Sequence, residues 1–231
     1  MVENLTFYAG GWNANYGDKL SSVLDVTYRK PTKFKASATA GLLGGSLHAE
    51  GKYKKLTILV GARLKNSQYL LNTLPSQGEY RPRFFDLQSL IEYTIDTNRY
   101  TTIGILSTYA QNSYFFAPST QKVSFGTSQK VLQLRIGYEG SELLKYNSYQ
   151  NAIKFHREQT KRLHHNIIFS SMYTKEREFQ NIEGAYQFCD VIDNPDLSSL
   201  NECLDARGVG TRYDYSRNQL EGTILNLQYD G

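Results

Sequence analysis

Long stretches of strictly alternating apolar and polar residues, broken by very short turns, constrain this chain more than any other property. In KFKASATAGLLGG, Phe34, Ala36, Ala38, Ala40 and Leu42 fall on one side, and Lys35, Ser37 and Thr39 on the other. A period of two belongs to a β-strand whose faces meet different surroundings. LTILVGARLK repeats the pattern, with Ile58, Val60, Ala62 and Leu64 against Thr57, Gly61 and Arg63, and Leu59 as an apolar exception. In RFFDLQSLIEYTID, Phe85, Leu87, Ile91, Tyr93 and Ile95 oppose Asp86, Gln88, Glu92, Thr94 and Asp96, with Leu90 as the exception. A helical stripe through Phe84, Leu87, Leu90 or Ile91, and Thr94 is the rival reading. The next segment, YTTIGILSTYAQNSYFF, is rich in Thr, Ile and Tyr, which form helices poorly, so the two segments read as one long hairpin.

The rest of the chain follows the same grammar. A short strand, Ser22 to Tyr28, is stopped by Pro31, which has no amide proton to give to a ladder. Gly44-Gly45 breaks the next strand, and SLHAEG returns. YNSYQNAIKFHRE, LHHNIIFSSMYTKE and GTRYDYSRNQLEGTILNLQYDG supply further strands. KYKK, TNR and QTKR are tight turns, whereas residues 71–83, 117–147 and 178–210 read as long connections. The second of these holds an alternating run, Val131 to Tyr138. The third holds NPDLSSLNECLDARG, which predicts a short helix: Asn194 caps, Pro195 takes the first position, Leu197, Leu200 and Leu204 line a face, and Gly208 follows the end.

Composition narrows the function classes. A net charge of +4, with Lys and Arg interspersed among Asp and Glu, lacks the basic stripe of a nucleic-acid binder. No run of eighteen apolar residues is present, so no helix is expected to span a membrane. The opening MVENLTFYAGGW has no basic segment before an apolar run and does not read as a signal peptide. Cys189 and Cys203, the 2 cysteines, share one polar stretch; a bridge between them is open, and with no histidine near they do not suggest zinc. His156, His164 and His165 flank a turn, and the adjacent pair points to opposite faces, so no metal site is read there. Ser22, His48 and Asp25 lack a nucleophile elbow, and no phosphate-cradling glycine loop stands between strand and helix. No catalytic, cofactor-binding or metal-binding residue is assigned, no cofactor is expected, and an enzyme is not expected.

Short turns alternating with long connections put the two kinds at opposite ends of an antiparallel sheet. Several strands can supply the 9 to 11 residues or so that cross a hydrocarbon layer. The expected fold is therefore all-β: an antiparallel transmembrane β-barrel segment, incomplete, with short periplasmic turns and long extracellular loops. About eight segments are candidate barrel strands, and the closing strands are expected outside this sequence. Arg63, Glu92, Asp96 and Glu50 are expected on the lumen face. Tyr100, Tyr109, Tyr149, Phe155, Phe169 and Tyr173 suit girdles at the lipid boundary, or ordinary sheet packing. A passive outer-membrane barrel and a soluble β-sandwich binding module are the alternatives.

The order of landmarks resembles the TonB-dependent outer-membrane receptors of Bacteroidetes-type bacteria. FYAGGWNANYGDKLSSVLDVTYRK is similar to the end of their plug domain, with Tyr16, Gly17, Leu20, Ser21, Val23, Leu24 and Asp25 carrying the match. KASATAGLLGGSLHAEG resembles the opening barrel strands, and FSSMYTKEREFQNIEGAY and GVGTRYDYSRNQLEGTILNLQYDG resemble interior ones. The resemblance implies that residues 1–30 end a plug and 31–231 begin a barrel. It further implies active import, across the outer membrane of a Gram-negative bacterium, of a scarce or large nutrient: a siderophore, a cobalamin, a glycan or a peptide. The implied partners are outer-membrane lipid, an inner-membrane energising complex, the small-molecule or oligomeric nutrient and a surface lipoprotein, with no nucleic acid.

Overall fold

A computed structural model of the chain describes every residue except 13–15, 18–20, 72, 74–77, 128–129, 161–162 and 192–202. Its alternating segments form strands. β1 (Val2–Tyr8) and β2 (Val23–Tyr28) pair antiparallel into a small two-stranded sheet. The larger sheet contains β3 (Lys35–Gly41), β4 (Gly44–Tyr53), β5 (Leu56–Asn66), β6 (Gly78–Tyr80), β7 (Arg83–Asp96) and β8 (Thr101–Pro118). It continues with β9 (Gln121–Thr127), β10 (Lys130–Glu158), β11 (His164–Val191) and β12 (Cys203–Asp230), and a single helical turn, α1 (Gln68–Leu71), follows β5.

The spatial order of this 10-stranded sheet is β12-β11-β10-β8-β7-β5-β4-β3, with β6 on β8 and β9 on β10, and every pairing is antiparallel. The strand reading of 83–96 holds. Turns occupy Lys54-Lys55 and Thr97–Tyr100, where KYKK and TNR were expected. Gly44 opens β4 at φ 135°, a conformation that suits glycine, and a Cβ there would run into the Leu64 carbonyl oxygen.

Because side chains alternate, directly opposed residues share a face. Ile58, Ile91, Ile105, Ile153, Phe169 and Leu227 form one rung across six strands. On the same face, Tyr109, Tyr149 and Tyr173 form a parallel row, with neighbouring ring centroids 4.7 and 6.1 Å apart. Among the described residues no element crosses this face, and Leu47, Ile105 and Leu227 are 65%, 46% and 72% exposed.

The opposite face is polar, carrying Glu50, Arg63, Asp86, Glu92, Lys154 and His156. Its apolar exceptions are informative. Leu59, Leu90, Leu106 and Ala152 lie on one rung, with Ile168 one rung along, and these residues underlie the two-stranded sheet. Leu59 is fully buried and Val23 nearly so. Burying apolar side chains is the main favourable term in packing, so the exceptions mark where β1 and β2 dock. Polar ties fix the position: Arg29 Nη1 donates to Glu50 Oε1 at 3.5 Å, and Lys30 Nζ to Tyr100 Oη at 2.8 Å.

The expected transmembrane barrel does not form. The sheet is an open ladder ending in β3 and β12, and those strands do not pair. Their lengths explain why: β3 has 7 residues and β12 has 28, so joining the edges would leave most of β12 without a partner. Among the described residues the sheet is open, and unpaired edge groups find no partner in lipid, so the expected transmembrane strands and outer-membrane placement are corrected on that finding. No helix among the described residues is long and apolar enough to cross a membrane.

Two expected long connections are largely ladder. β10 runs without interruption through the 130–147 stretch, and β11 continues to Val191 opposite it. Residues 203–208 of the expected helix are strand, and 194–202 lie outside the described residues. A bridge links Cys189 to Cys203 where β11 meets β12.

Candidate functional site

A cleft of about 490 Å³ lies between the two sheets. Its floor is the apolar patch of Leu59, Leu90, Leu106, Ala152 and Ile168, and β2 supplies one wall through Asp25–Tyr28, followed by Arg29 and Lys30. Rung geometry sets the charges. Glu92 on β7 and Lys154 on β10 both oppose Gly104 of β8, so an acid and a base flank a position with no side chain. Thr57, Thr102, Tyr100 and His156 complete the polar lining.

Local structure holds these groups in place. Tyr100 closes the β7–β8 turn at φ 38°, which brings its hydroxyl to Lys30 and its ring edge to His156, 5.7 Å between centroids. The hydrogen bond to Tyr100 raises the Lys30 pKa, keeping the ammonium charged. His156 Nδ1 donates to Asn166 Oδ1 at 2.7 Å, leaving Nε2 directed 3.9 Å from Glu158 Oε1. Burial raises the Tyr28 pKa, so this phenol stays neutral. The lining therefore offers fixed donors and acceptors of both signs above an apolar floor.

Beside the cleft, Glu50 is 2% exposed and receives Arg29 on one oxygen. Its Oε2 faces His48 Nε2 at 3.5 Å, and neither of those atoms has a hydrogen-bond partner. Burial lowers the His48 pKa.

The residues singled out in the sequence are scattered rather than gathered. Of the expected lumen group, Arg63 donates to Asp86 at 2.7 Å, Glu50 is tied to Arg29, Glu92 lines the cleft, and Asp96 accepts from the Asn98 amide at 2.9 Å in the turn. Asp25 lines the cleft, Ser22 is exposed and His48 contacts Glu50, so these three form no triad. His164 lies 6.4 Å from His156 between centroids, while His165 stacks on Tyr229 across the other face. Among the described residues no three His, Cys, Asp or Glu side chains gather as metal ligands. Tyr109, Tyr149, Phe155, Phe169 and Tyr173 share the exposed apolar face, but Tyr100 belongs to the cleft. Of the plug-like segment, Leu20 lies outside the described residues, and Tyr16 hydrogen-bonds Asp25, which raises its pKa.

Sequence reasoning missed the cleft because β1 was not recognised and its docking is long-range. The usable signal was the apolar exceptions Leu59 and Leu90 on an otherwise polar face.

In comparison with known proteins, no family model, no curated protein and no solved structure matches this chain. The resemblance to TonB-dependent receptors, carried by one short segment and by strand patterns common to many antiparallel sheets, is therefore corrected. The receptor role and energised nutrient transport across an outer membrane rested on that resemblance and fall with it.

Proposed function

We propose that this chain is a non-catalytic all-β binding module that holds a small molecule or short oligomer in the cleft between the two-stranded sheet and the polar face of the large one. The observation that carries the reading is the cleft itself. Its volume of about 490 Å³ lies within the roughly 300–1,000 Å³ of ligand pockets. Its lining combines an apolar floor with a few converging polar groups, the usual division between affinity and orientation. Glu92 and Lys154 on either side of Gly104 suit a ligand that presents a donor and an acceptor along one edge. The apolar floor suits a flat or ring-shaped body.

Isothermal titration and chemical-shift mapping of the whole chain against a panel of mono- and oligosaccharides, amino acids and short peptides test this reading. Binding is expected to perturb Tyr100, Gly104 and His156. Glu92→Gln with Lys154→Gln is expected to weaken binding at least tenfold, about 1.4 kcal/mol. Absence of binding across the panel, or binding unaffected by both substitutions, refutes it.

A further inference from the structure

The large sheet treats its two edges differently. β3 is short, and Pro31, Lys33 and Lys35 stand at its start. Proline, lysine and shortness are the devices that keep a strand edge from pairing. β12 has none of them: it is 28 residues long and contains neither Pro nor Lys. Its stretch Gly222–Tyr229 carries no charge, and from Gly208 to Asp230 its register with β11 is unbroken. Val209, Tyr213, Leu225 and Leu227 are each 60% exposed or more, whereas Ile167 and Phe169 of neighbouring β11 are 42% and 47% exposed. The total accessible surface, 16099 Å², far exceeds the roughly 10,600 Å² expected of a compact monomer of this mass.

We propose that β12 pairs antiparallel with β12 of a second copy of this chain, about a two-fold axis at Gln219, joining the two large sheets into one. Charge complementarity supports this occupant and this register. In a continuous sheet, opposed residues share a face, and centring on Gln219 sets Arg217 of each copy against Glu221 of the other. Centring on Arg217 or Glu221 would oppose like charges, which disfavours pairing. Arg217 now stacks over the rings of Phe179 and Tyr215, at 5.0 and 5.5 Å, while Glu221 holds Lys175 and accepts from Tyr173. The same register sets Tyr213 against Leu225 and Val209 against Tyr229, continuing the apolar face across the junction. Backbone pairing supplies affinity and the opposed side chains supply register, as in strand addition generally.

The test uses the whole chain in a mild non-ionic detergent, which masks the apolar face so that edge pairing is read separately. Sedimentation velocity is expected to show a dimer. Gln219→Cys, oxidised and mapped by mass spectrometry, is expected to give an intermolecular bridge between the two substituted positions, because opposed strand residues lie within disulfide reach. Arg217→Cys is expected to give none. Arg217→Glu is expected to raise the dimer dissociation constant about tenfold, and adding Glu221→Arg to restore it. Far-UV circular dichroism checks folding, and the restored charge swap shows that loss of the dimer is not loss of the fold. A monomeric wild-type chain overturns the proposal. So does a dimer that resists Arg217→Glu and fails to bridge at 219, which would assign association to the apolar face instead.

Discussion

Replacing Leu59 by alanine removes the one large aliphatic side chain of the floor that is fully buried, at 0% exposure. Full burial of a leucine is worth about 1.5–3 kcal/mol, and truncation adds a term for the cavity left behind, so the range is about 2–5 kcal/mol. We expect about 3 kcal/mol, because Leu59 is covered on one side by the docked strands and on the other by its own sheet, neither of which is free to collapse. For a chain of this size that corresponds to a Tm lowered by roughly 6–12 °C. Ile105, 46% exposed on the opposite face, is the control. Ile105→Ala should cost about 1 kcal/mol, since much of that side chain already meets solvent. Urea titrations followed by far-UV circular dichroism, with the slope checked for constancy, give both values. If Leu59→Ala cost less than about 1 kcal/mol, or if Ile105→Ala cost as much as Leu59→Ala, the assignment of the packed side of the sheet would be refuted.

Three other perturbations probe the attachments. Arg29→Ala should loosen the two-stranded sheet by about 1–3 kcal/mol, because it strands the buried Glu50 carboxylate; faster amide exchange at Val23–Tyr28, with β10 and β11 unchanged, is the expected readout. His48 has its pKa lowered by burial, so the folded state favours the neutral ring. Stability from this group is present above the ordinary value of 6.5 and is lost as pH falls through it and below; His48→Gln should flatten that part of a stability-versus-pH curve. Reducing Cys189–Cys203, which closes a 14-residue separation, should cost roughly 3 kcal/mol and open the far ends of β11 and β12 to protease before the rest of the sheet.

The lower part of the large sheet is legible in the sequence because its faces differ. Ile58, Ile91 and Ile105 alternate with Thr57, Glu92 and Gly104, and the period gives the strand, its register and the apolar side together. The distal halves of β11 and β12 are not legible in this way. KEREFQNIEG presents polar groups to both sides, so the contrast vanishes and extended ladder reads as loop from residue 178 on, whereas GTRYDYSRNQ, equally polar, reads as the first half of a strand whose second half is apolar. Closure is not a local property either. It depends on whether the first and last strands match in length, and β3 and β12 do not. The cleft was half visible: Leu59 and Leu90 broke the alternation, but nothing near them in sequence identifies Asp25–Tyr28 of β2 as the facing wall.

The principal strands from β3 to β12 are stacked in the order in which they are made, β6 and β9 being short riders on their neighbours. No strand has to wait for a distant one to complete its pairing. Loop-closure entropy is small at each step, and each finished hairpin is a template for the next. As the chain emerges from the ribosome, the sheet can lengthen sideways one hairpin at a time, with the small amino-terminal sheet settling once β10 has joined. Such a sheet tolerates hairpins added or removed at its carboxyl-terminal side, because those changes leave the earlier wiring untouched.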